Sequence, residues 1–409
     1  MHRAMTSAAF VLSLVSCGPG GTAPAGPRDA GTPDPGAQDP GGQDPGDGEE
    51  DRARPPLPAF LERGEVVPPD SIPCVDPDTG GESWDCNHHG SSVAVAADGT
   101  VMVVWYHGKA EKSKDSRLLW SRRPPGDGFG PAEVLFDAPD LAEGNPALWV
   151  HEDGTLYLFF VTILGESWND AEIRLLRSTD GGTSWGPPQV LRAEWGWMVR
   201  NHPLRLGSGE LLLPVYDETT YTPAFLRSAD DFASSWAEVS FTGDPGAFVE
   251  HLAMIQPSVI ERDDGTLFAL CRNTSSSHSQ AMEMTSPDRG LSWTPGVRSV
   301  VPNDSNGIEM IRLSGGPVAL AFSNTLHGRY PLGLALSDDG GLSWSAVADV
   351  DGPCPDGESC SHGYASIAED PTDGSLWVTY TADRRTIGWV HTSEAWIRAQ
   401  GGAFAGEEL

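Results

Sequence analysis

The chain has 409 residues, and 39% of them are hydrophobic, which is enough to bury the core of one large domain. Its charge is lopsided, with 58 Asp and Glu residues against 26 Lys and Arg residues and a formal net charge of −32. Such a polyanion repels nucleic acid and anionic membrane surfaces, so the composition excludes wholesale binding to either. An anionic ligand would need a local cluster of arginines.

The first residues predict export and lipidation. Arg3 supplies a short positive start, and the run from Ala4 to Val15 is mostly small or apolar. This run is too short to span a bilayer as a stable helix, but it suits the hydrophobic region of a signal peptide. It ends in Leu14-Val15-Ser16-Cys17, which resembles a bacterial lipobox. We therefore predict a signal peptide over residues 1–17 and a lipid on Cys17. An ordinary signal peptide with a chance cysteine is the alternative.

This lipid is the only membrane contact that we expect, and it would hold the protein to the bacterial outer membrane, at the periplasmic or the cell surface. Residues 18–58 are rich in Gly, Pro, Asp, Gln and Ala. They offer almost no apolar surface to offset the entropy of ordering, so we predict a disordered tether. The folded domain is predicted to cover residues 59–400.

Five cysteines follow Cys17 in the sequence. An exported chain can form disulfides, and two local bridges, Cys74 with Cys86 and Cys354 with Cys360, are the simplest arrangement. Four cysteines allow three pairings, so the other two remain open. The fifth, Cys271, lies in an apolar run and is expected to be a buried free thiol.

The rest of the chain repeats. A turn followed by an apolar strand recurs six times, and the turns begin at residues 98, 153, 208, 264, 315 and 373. The first copy is Asp98-Gly99. An Asp-Gly pair between two β-like runs is a strong hairpin signal, because glycine tolerates a positive φ. Each unit therefore opens with a two-stranded hairpin.

A second motif, S-x-D-x-G-x-x-W, follows three of the hairpins, and a looser copy follows a fourth. The copies begin at Ser178, Ser228, Ser286 and Ser337. The aspartate can accept backbone N–H bonds in the turn, the glycine supplies a left-handed conformation, and the tryptophan packs on the sheet. These copies resemble the Asp boxes of sialidases and related propellers, and the resemblance covers roughly residues 85 to 397.

Six units of this kind predict an all-β fold, a six-bladed β-propeller with four-stranded antiparallel blades. Little chain follows Trp396, so the last blade should lack its outer strand. The segment near Glu65-Val66-Val67 could supply that strand and close the ring.

In such a propeller, the first strand of each blade begins at the same rim at which the second strand ends. One rim therefore collects many polar groups and is the expected place for a ligand. The candidate site residues on it are His88, His89, Asp115, Trp168, Asn201, Glu218, Gln256, Arg272, Asn306, Arg329, Tyr364 and Arg385.

Sialidases bind the substrate carboxylate with three arginines and use a Tyr nucleophile, a Glu that activates it and an Asp acid/base. The resemblance implies that Arg272 and Arg329 belong to the arginine triad, since guanidinium groups suit a carboxylate. It also implies that Tyr364 is the nucleophile and that Asp115 is the acid/base. Tyr364 as a packing residue and Asp115 as a solvated surface acid are the alternatives.

Two positions depart from the sialidase pattern. His88-His89-Gly90 stands where the first arginine is expected. Gln256 stands where the activating glutamate is expected, and an amide cannot take a proton from a phenol. Glu218 could replace that glutamate, and Arg385 could supply the third guanidinium group.

His89 is a further candidate for proton transfer. Sugar contacts are expected from the remaining polar and aromatic candidates, which are His88, Asn201, Gln256, Asn306 and Trp168. Two adjacent histidines without a spaced third ligand do not indicate a metal site, and we expect no cofactor.

We therefore predict an exo-acting glycoside hydrolase that removes terminal sialic or other acidic sugars from a glycan. Three alternatives stay open: a glycosidase for a non-sialic sugar, a glycan-binding propeller without catalysis, and a structural or adhesive surface protein.

Overall fold

The computed structural model describes residues 56–76, 79–240 and 253–406. The predicted signal peptide with Cys17, and the predicted tether up to residue 55, lie outside the described residues. In the described part of the chain, no helix is long and apolar enough to cross a membrane.

Six antiparallel sheets follow one another along the chain, and the sixth packs against the first. The chain begins with β1 (Leu61–Glu65) and a small hairpin of β2 (Cys74–Val75) and β3 (Glu82–Ser83). Blade 1 contains β4 (Asn87–Val95), β5 (Val101–Gly108), β6 (Arg117–Arg123) and β7 (Glu133–Phe136). Blade 2 contains β8 (Ala142–Val150), β9 (Leu156–Ile163), β10 (Ala171–Ser178) and β11 (Gln189–Arg192), with a 3-10 helix (Trp168–Asp170) before β10.

The remaining blades follow the same order. Blade 3 contains β12 (Trp197–Val199), β13 (Leu204–Arg205), β14 (Leu211–Asp217), β15 (Thr222–Ser228) and β16 (Ala237–Ser240). Blade 4 contains β17 (Met254–Glu261), β18 (Leu267–Asn273), β19 (Gln280–Ser286) and β20 (Val297–Pro302). Blade 5 contains β21 (Glu309–Arg312), β22 (Val318–Ser323), β23 (Leu332–Ser337) and β24 (Ala346–Asp349). Blade 6 contains β25 (His362–Glu369), β26 (Leu376–Ala382) and β27 (Thr386–Thr392), and α1 (Glu394–Gln400) follows it.

The prediction of an all-β, six-bladed β-propeller is confirmed. The inner strand of blade 3 is interrupted between β12 and β13, where Pro203 has no backbone N–H to donate. The other blades run as four continuous strands.

The N-terminal strand completes blade 6. Strand β1 pairs antiparallel with β27, from Leu61 opposite Thr392 to Glu65 opposite Gly388. The first and last parts of the propeller are thereby joined in one sheet. The closing strand lies slightly earlier than the expected segment near Glu65-Val66-Val67, which adds one bond from Val66 N to Ile387 O.

Local sequence explains the turns. In the first hairpin, Thr100 N donates to Asp98 Oδ1 at 2.9 Å, and Gly99 has a φ of +82°. The same bond recurs at Asp153, Asp264 and Asp373, whereas the turns that begin at residues 208 and 315 share only the glycine with a positive φ. Each predicted turn joins the first two strands of its blade.

The Asp boxes fasten the blades to one another. The Asp180 carboxylate accepts bonds from Ser184 N at 2.9 Å and Ser184 Oγ at 2.6 Å, and these bonds lower the pKa of Asp180 to about 2. The box of blade 4 sends Trp293 onto Phe225 of blade 3, with ring centroids 4.2 Å apart. Each box therefore combines a hydrogen-bonded turn with packing between blades.

Both predicted disulfides are present. Cys74 bonds to Cys86, and Cys354 bonds to Cys360. Cys271 is a buried free thiol, and burial raises its pKa, so it is not a nucleophile.

Candidate functional site

A cavity of about 560 Å³ opens at the rim where the inner strands begin. All six blades contribute to its lining, from the start of the first strand or from the end of the second. Its polar and aromatic lining residues are Tyr106, Glu111, Asn145, Trp168, Tyr216, Glu218, Tyr221, Gln256, Arg272, Thr274, Ser305, Arg329, Tyr364 and Arg384. Such a convergence is typical of a small-ligand site.

Left-handed backbone conformations aim several of these residues at the propeller axis. The inner strands of blades 1, 2, 4 and 6 each contain a register shift at a residue with positive φ. These residues are Gly90, Asn145, Gln256 and Tyr364. A bulge of this kind re-aims a side chain, and a non-glycine residue in this conformation costs about 1–3 kcal/mol, a cost often met at functional sites.

Hydrogen bonds from two other blades hold Tyr364 in this conformation, at a φ of +56°. Tyr364 N donates to Asn306 Oδ1 at 3.1 Å, and Arg200 Nη2 donates to Tyr364 O at 2.7 Å. Asn306 is itself fixed, because its Nδ2 donates to Ser323 Oγ at 2.6 Å. Asn306, a predicted sugar contact, thus lies outside the cavity lining and positions Tyr364.

Guanidinium groups surround the phenol of Tyr364. Arg272 Nη1 donates to Tyr364 Oη at 2.6 Å, and the Cζ atoms of Arg329 and Arg200 lie 5.3 and 5.5 Å from the ring centroid. Burial alone would raise the pKa of Tyr364, but Arg272 and Arg329 outweigh burial and hold this pKa below its usual value. The phenol of Tyr364 therefore loses its proton more readily here than in water.

Arg272 also contacts Gln256 of its own blade and Ser305, which precedes the first strand of blade 5. Its Nη2 donates to Ser305 Oγ at 3.0 Å, and its Nη1 lies 3.5 Å from Gln256 Oε1. Gln256 Nε2 in turn donates to Tyr216 Oη at 3.2 Å. A neutral amide therefore lies beside Arg272, at the position where the resemblance implies a glutamate.

Arg329 approaches Tyr364 from blade 5. Its Nη2 donates to Ser305 O at 2.9 Å, which orients the guanidinium group toward the axis. The structure thus brings Arg272, Arg329 and Tyr364 into one cavity.

The loop after β5 presents Glu111 to the cavity. The Glu111 carboxylate forms an ion pair with Arg384, and its Oε1 lies 3.2 Å from His89 Nε2, without the alignment of a hydrogen bond. Blade 1 therefore supplies the Glu111 carboxylate to the cavity, and a neutral His89 stands where the resemblance implies an arginine.

Asp115 lies in the same loop but does not line the cavity. Its Oδ2 accepts bonds from Lys109 N at 2.9 Å and Val75 N at 3.1 Å, and Ser113 Oγ donates to its Oδ1. This geometry corrects the expected location: Asp115 fastens the loop to β2, and Glu111 is the carboxylate of this loop that lines the cavity.

Arg385 also lies away from the cavity, where it forms an ion pair with Asp70 on the surface. Its neighbour Arg384 lines the cavity instead. The third guanidinium group at this site therefore belongs to Arg384.

The two histidines of blade 1 have different surroundings. His89 is buried, its Nδ1 lies 2.9 Å from Thr381 Oγ1, and its ring centroid lies 4.3 Å from that of Tyr364. Burial and the charge of Arg384 hold the pKa of His89 well below its usual value, so the imidazole is neutral at neutral pH.

His88 lies outside the cavity lining, and its Nδ1 accepts a bond from Trp105 Nε1 at 2.9 Å. Burial lowers the pKa of His88 to about 3. Within the described residues, no three His, Cys, Asp or Glu side chains form a group that could hold a metal ion.

Glu218 lines the cavity beyond the end of β14. Burial raises its pKa to about 7, against the opposing charge of Arg272. A carboxyl group with this pKa exists in both protonation states near neutrality, which suits an acid/base residue.

Trp168 and Asn201 complete the set of predicted residues. Trp168 lines the cavity, with its ring centroid 6.3 Å from that of Tyr106. Asn201 lies outside the lining, because its Nδ2 donates to the carbonyl oxygens of Gln256 and Pro257 at 3.1 and 3.0 Å. Asn201 therefore supports the bulge that carries Gln256.

A buried ionic network joins the inner strands near the site. Glu309 Oε1 lies 3.0 Å from His202 Nδ1, and Glu309 Oε2 accepts bonds from Ser366 Oγ at 2.8 Å and Ile367 N at 3.1 Å. Burial would raise the pKa of Glu309, but His202 and Arg200 hold it at about 2. The network links blades 3, 5 and 6 next to the Tyr364 backbone.

Sequence reasoning missed Glu111, Arg200 and Tyr221, and of the pair Arg384-Arg385 it chose Arg385 as the third guanidinium group. Glu111 lies four residues before Asp115, and Arg384 precedes Arg385, so each loop was recognised but not its inward-facing side chain. Arg200 carried a weak signal, because it directly precedes Asn201 at the start of an inner strand.

The family model described as a BNR repeat-like domain matches residues 99–398. A sialidase of Bacteroides fragilis (strain YCH46) is 24% identical over 275 residues, which cover 63% of this chain and 48% of that protein. The chain thus spans about half the length of this curated relative.

Solved structures of sialidases share the fold. A Hadza microbial sialidase has a TM-score of 0.62 at 15% identity, over 76% of this chain and 66% of its own. The intramolecular trans-sialidase of Ruminococcus gnavus, in complex with oseltamivir carboxylate, has a TM-score of 0.62 at 13% identity, over 76% of this chain and 96% of its own. At these identities the likeness concerns the fold alone.

Proposed function

Since this chain belongs to the BNR repeat-like domain family and has the fold of the sialidases, we propose that it is an exo-acting glycosidase of the sialidase type. Its proposed substrate is a glycan that ends in a carboxylate-bearing sugar, such as sialic acid. The observation that carries the proposal is the 2.6 Å contact between Arg272 Nη1 and Tyr364 Oη, in a cavity that all six blades line.

The charges of the cavity favour an anionic sugar. Arg272, Arg329 and Arg384 all line it, although the chain as a whole carries a net charge of −32. A guanidinium fork binds a carboxylate through two parallel hydrogen bonds. We assign the sugar carboxylate to Arg272 and Arg329, and Arg384 adds charge beside its ion pair with Glu111.

The proposed reaction proceeds in two steps. The Tyr364 phenolate attacks the anomeric carbon, the bond from that carbon to the leaving oxygen breaks, and Glu218 gives its proton to the leaving oxygen. Water then attacks the anomeric carbon, Glu218 takes the water proton, and the bond to Tyr364 breaks. Two displacements give net retention of configuration.

Hydrolysis of a fluorogenic aryl sialoside by the full-length protein in detergent tests this proposal. We expect release by the natural protein and a loss of at least about 1,000-fold in Tyr364→Phe, since a phenyl ring has no nucleophile. Tyr157→Phe is the matched control, because Tyr157 is buried in blade 2 outside the cavity lining. Equal release by Tyr364→Phe and natural protein would remove Tyr364 from the mechanism.

Glycan binding without catalysis is a second candidate function. Gln256 favours it, because an amide beside Arg272 cannot accept the phenol proton. Binding of the sialoside with no release by any preparation, over pH 4 to 9, would support this candidate. A panel of other acidic glycosides would then separate a binding module from a glycosidase for a non-sialic sugar.

We further propose that a lipoprotein signal peptide, whose lipobox ends at Cys17, directs export, and that Cys17 carries the lipid anchor as the first residue of the mature chain. The apolar run before Leu14-Val15-Ser16-Cys17 supports this location. Labelling of growing cells with an alkyne fatty acid tests it. We expect the label on the natural protein and not on Cys17→Ser, and equal labelling of both would contradict the assignment.

A further inference from the structure

Two of the cavity arginines lie on loops of neighbouring blades. Arg329 belongs to the connection from β22 to β23 of blade 5, and Arg384 belongs to the turn from β26 to β27 of blade 6. Both arginines lie outside the paired residues of their sheets. Other contacts must therefore fix the directions of their side chains.

Two adjacent residues at the start of β25 contact both of these loops. His362 N donates to Arg329 O at 2.6 Å. Ser361 N donates to Asp383 Oδ1 at 2.6 Å, and Asp383 N donates to Ser361 O at 2.8 Å. The start of β25 thus holds the Arg329 loop on one side and the turn that carries Arg384 on the other.

The side chain of His362 is fixed by a carboxylate. Its Nδ1 lies 2.7 Å from Asp351 Oδ2, and since a carboxylate can only accept, Nδ1–H donates. The side chains of Asp351 and His362 are 7% and 14% exposed, so water competes little for this bond. The same Asp351 oxygen accepts a bond from Leu332 N at 3.2 Å. The Cys354–Cys360 disulfide closes the loop between Asp351 and His362, which reduces the entropy that their contact must offset.

The residue after Arg329 packs on the imidazole. The ring centroids of Tyr330 and His362 lie 4.9 Å apart in an edge-on arrangement, and Tyr330 Oη donates to Gly352 O at 2.6 Å. A Cβ on Gly363 would lie 3.1 Å from Arg329 Cδ, so the Arg329 side chain packs directly on the backbone that follows His362. Loss of the imidazole would therefore loosen both the backbone and the side chain of Arg329.

We propose that His362 is a positioning residue, which is anchored on Asp351 and holds the guanidinium group of Arg329 in the cavity. Through Ser361 it also steadies the turn that carries Arg384. His362 lies outside the cavity lining, so it acts through the arginines. For its effect on catalysis, the proposal rests on the proposed function, in which Arg329 binds the sugar carboxylate.

The phenol of Tyr364 reports the position of Arg329 without any substrate. The Cζ atom of Arg329 lies 5.3 Å from the ring centroid of Tyr364, and Arg272 and Arg329 oppose the effect of burial on its pKa. A guanidinium group that moves away from the ring opposes burial less, so the pKa of Tyr364 rises. Tyrosinate absorbance measures this pKa on the full-length protein in detergent, after subtraction of the trace of the matching Tyr364→Phe variant.

His362→Ala should raise the pKa of Tyr364 by about 0.5 or more, since a charge within about 4–6 Å shifts a pKa by about 1–3. His362→Asn should restore most of this shift, because an amide N–H can donate to Asp351 as Nδ1–H does. On the fluorogenic sialoside, kcat/KM should fall about tenfold in His362→Ala, because a misplacement of about 1 Å can cost about 100-fold. It should recover in His362→Asn.

His391→Ala is the matched control, because His391 lies in the same blade but outside the cavity lining. Its Nδ1 lies 3.6 Å from Glu62 Oε2, and its ring stacks on Trp377 with centroids 4.1 Å apart. This variant should leave the titration of Tyr364 unchanged. If His362→Ala does not fold, Asp351→Ala removes the same contact from the other residue and should give the same shift.

A titration that coincides with that of the natural protein in the folded variant would overturn the positioning role and leave the proposed function standing. A shift that His362→Asn does not restore would also overturn it, because the contact with Asp351 would not be the cause. Absence of hydrolysis by the natural protein would instead overturn the proposed function, and the titration would still decide whether His362 positions Arg329.

Discussion

The guanidinium group of Arg272 donates a 2.6 Å hydrogen bond to the phenol oxygen of Tyr364, and the two residues come from blades 4 and 6. A fixed positive charge thereby touches a side chain that burial would otherwise keep protonated. Arg272 stabilises the phenolate of Tyr364. Its charge partly replaces the general base that a glutamate would supply and that the amide of Gln256 cannot supply.

Arg272→Gln should therefore raise the pKa of Tyr364, since it removes the largest charge that opposes burial and leaves only Arg329 and Arg200 to lower this pKa. The ultraviolet absorbance of tyrosinate, recorded against pH, reports this ionisation after subtraction of the Tyr364→Phe trace. Arg298→Gln, at an exposed position in β20, is the control and should leave the titration unchanged. If the absorbance titration of Arg272→Gln coincides with that of the natural protein, the contact with Arg272 does not determine the pKa of Tyr364.

Gln256→Glu should raise kcat on a sialoside by about tenfold or more, because general-base catalysis contributes at least this much. The new carboxylate would lie beside Arg272, where Gln256 Oε1 is now 3.5 Å from Nη1. Steady-state kinetics measure the change, and Gln400→Glu adds the same charge in α1, far from the cavity. A fall in kcat would indicate that the amide, through its bond to Tyr216, has its own role.

Glu218 should make folding stability depend on pH. Its folded-state pKa of about 7 exceeds the ordinary 4.5, so the folded chain binds this proton more tightly than the unfolded chain does. The folding stability that Glu218 contributes is fully present below about pH 4.5 and is lost as the pH rises through 7. Glu218→Gln cannot ionise, so its Tm relative to natural protein should be higher at pH 8 than at pH 5.

Thermal unfolding at the two pH values measures this effect, and Glu166→Gln, at an exposed position, is the control. In activity assays, a proton-donating Glu218 predicts a decline above about pH 7. A Tm difference that is the same at pH 5 and pH 8 would contradict the raised pKa of Glu218.

Glu309→Ala should destabilise the propeller by about 3–5 kcal/mol, because it leaves buried partners of a paired charge uncompensated. Glu309 is 1% exposed and accepts bonds from blades 3 and 6. Since its pKa lies near 2, its contribution is present above about pH 4.5 and is lost as the pH falls through 2. Urea unfolding at pH 7 gives the loss, with Glu133→Ala as an exposed control. A loss of less than about 1 kcal/mol in the free energy of unfolding would show that the Glu309 network does not stabilise the packing of the inner strands.

Much of the fold followed from local sequence. The Asp-Gly turns and the Asp boxes are stabilised by bonds among residues within five positions of each other, such as Asp180 with Ser184, so their motifs predict them directly. The sixfold recurrence of the hairpin turns, with four Asp boxes in phase, predicted the propeller, and the resemblance to sialidases is confirmed by the family and by the fold.

Tertiary structure decided which charged side chains face the cavity. Glu111 and Asp115 share one loop, but backbone donors from Lys109 and Val75 hold the Asp115 carboxylate away from the cavity. An ion pair with Asp70 likewise holds Arg385 at the surface, and Arg384 lines the cavity instead.

By itself, the sequence determined the repeat, the turns and the need for an arginine cluster in a polyanionic chain, because composition and short-range bonds suffice for these. The contact between Arg272 and Tyr364 joins residues 92 positions apart, and Arg200 reaches Tyr364 from 164 positions away. Only closure of the ring brings such residues together, since their distance depends on how all six blades pack around one axis.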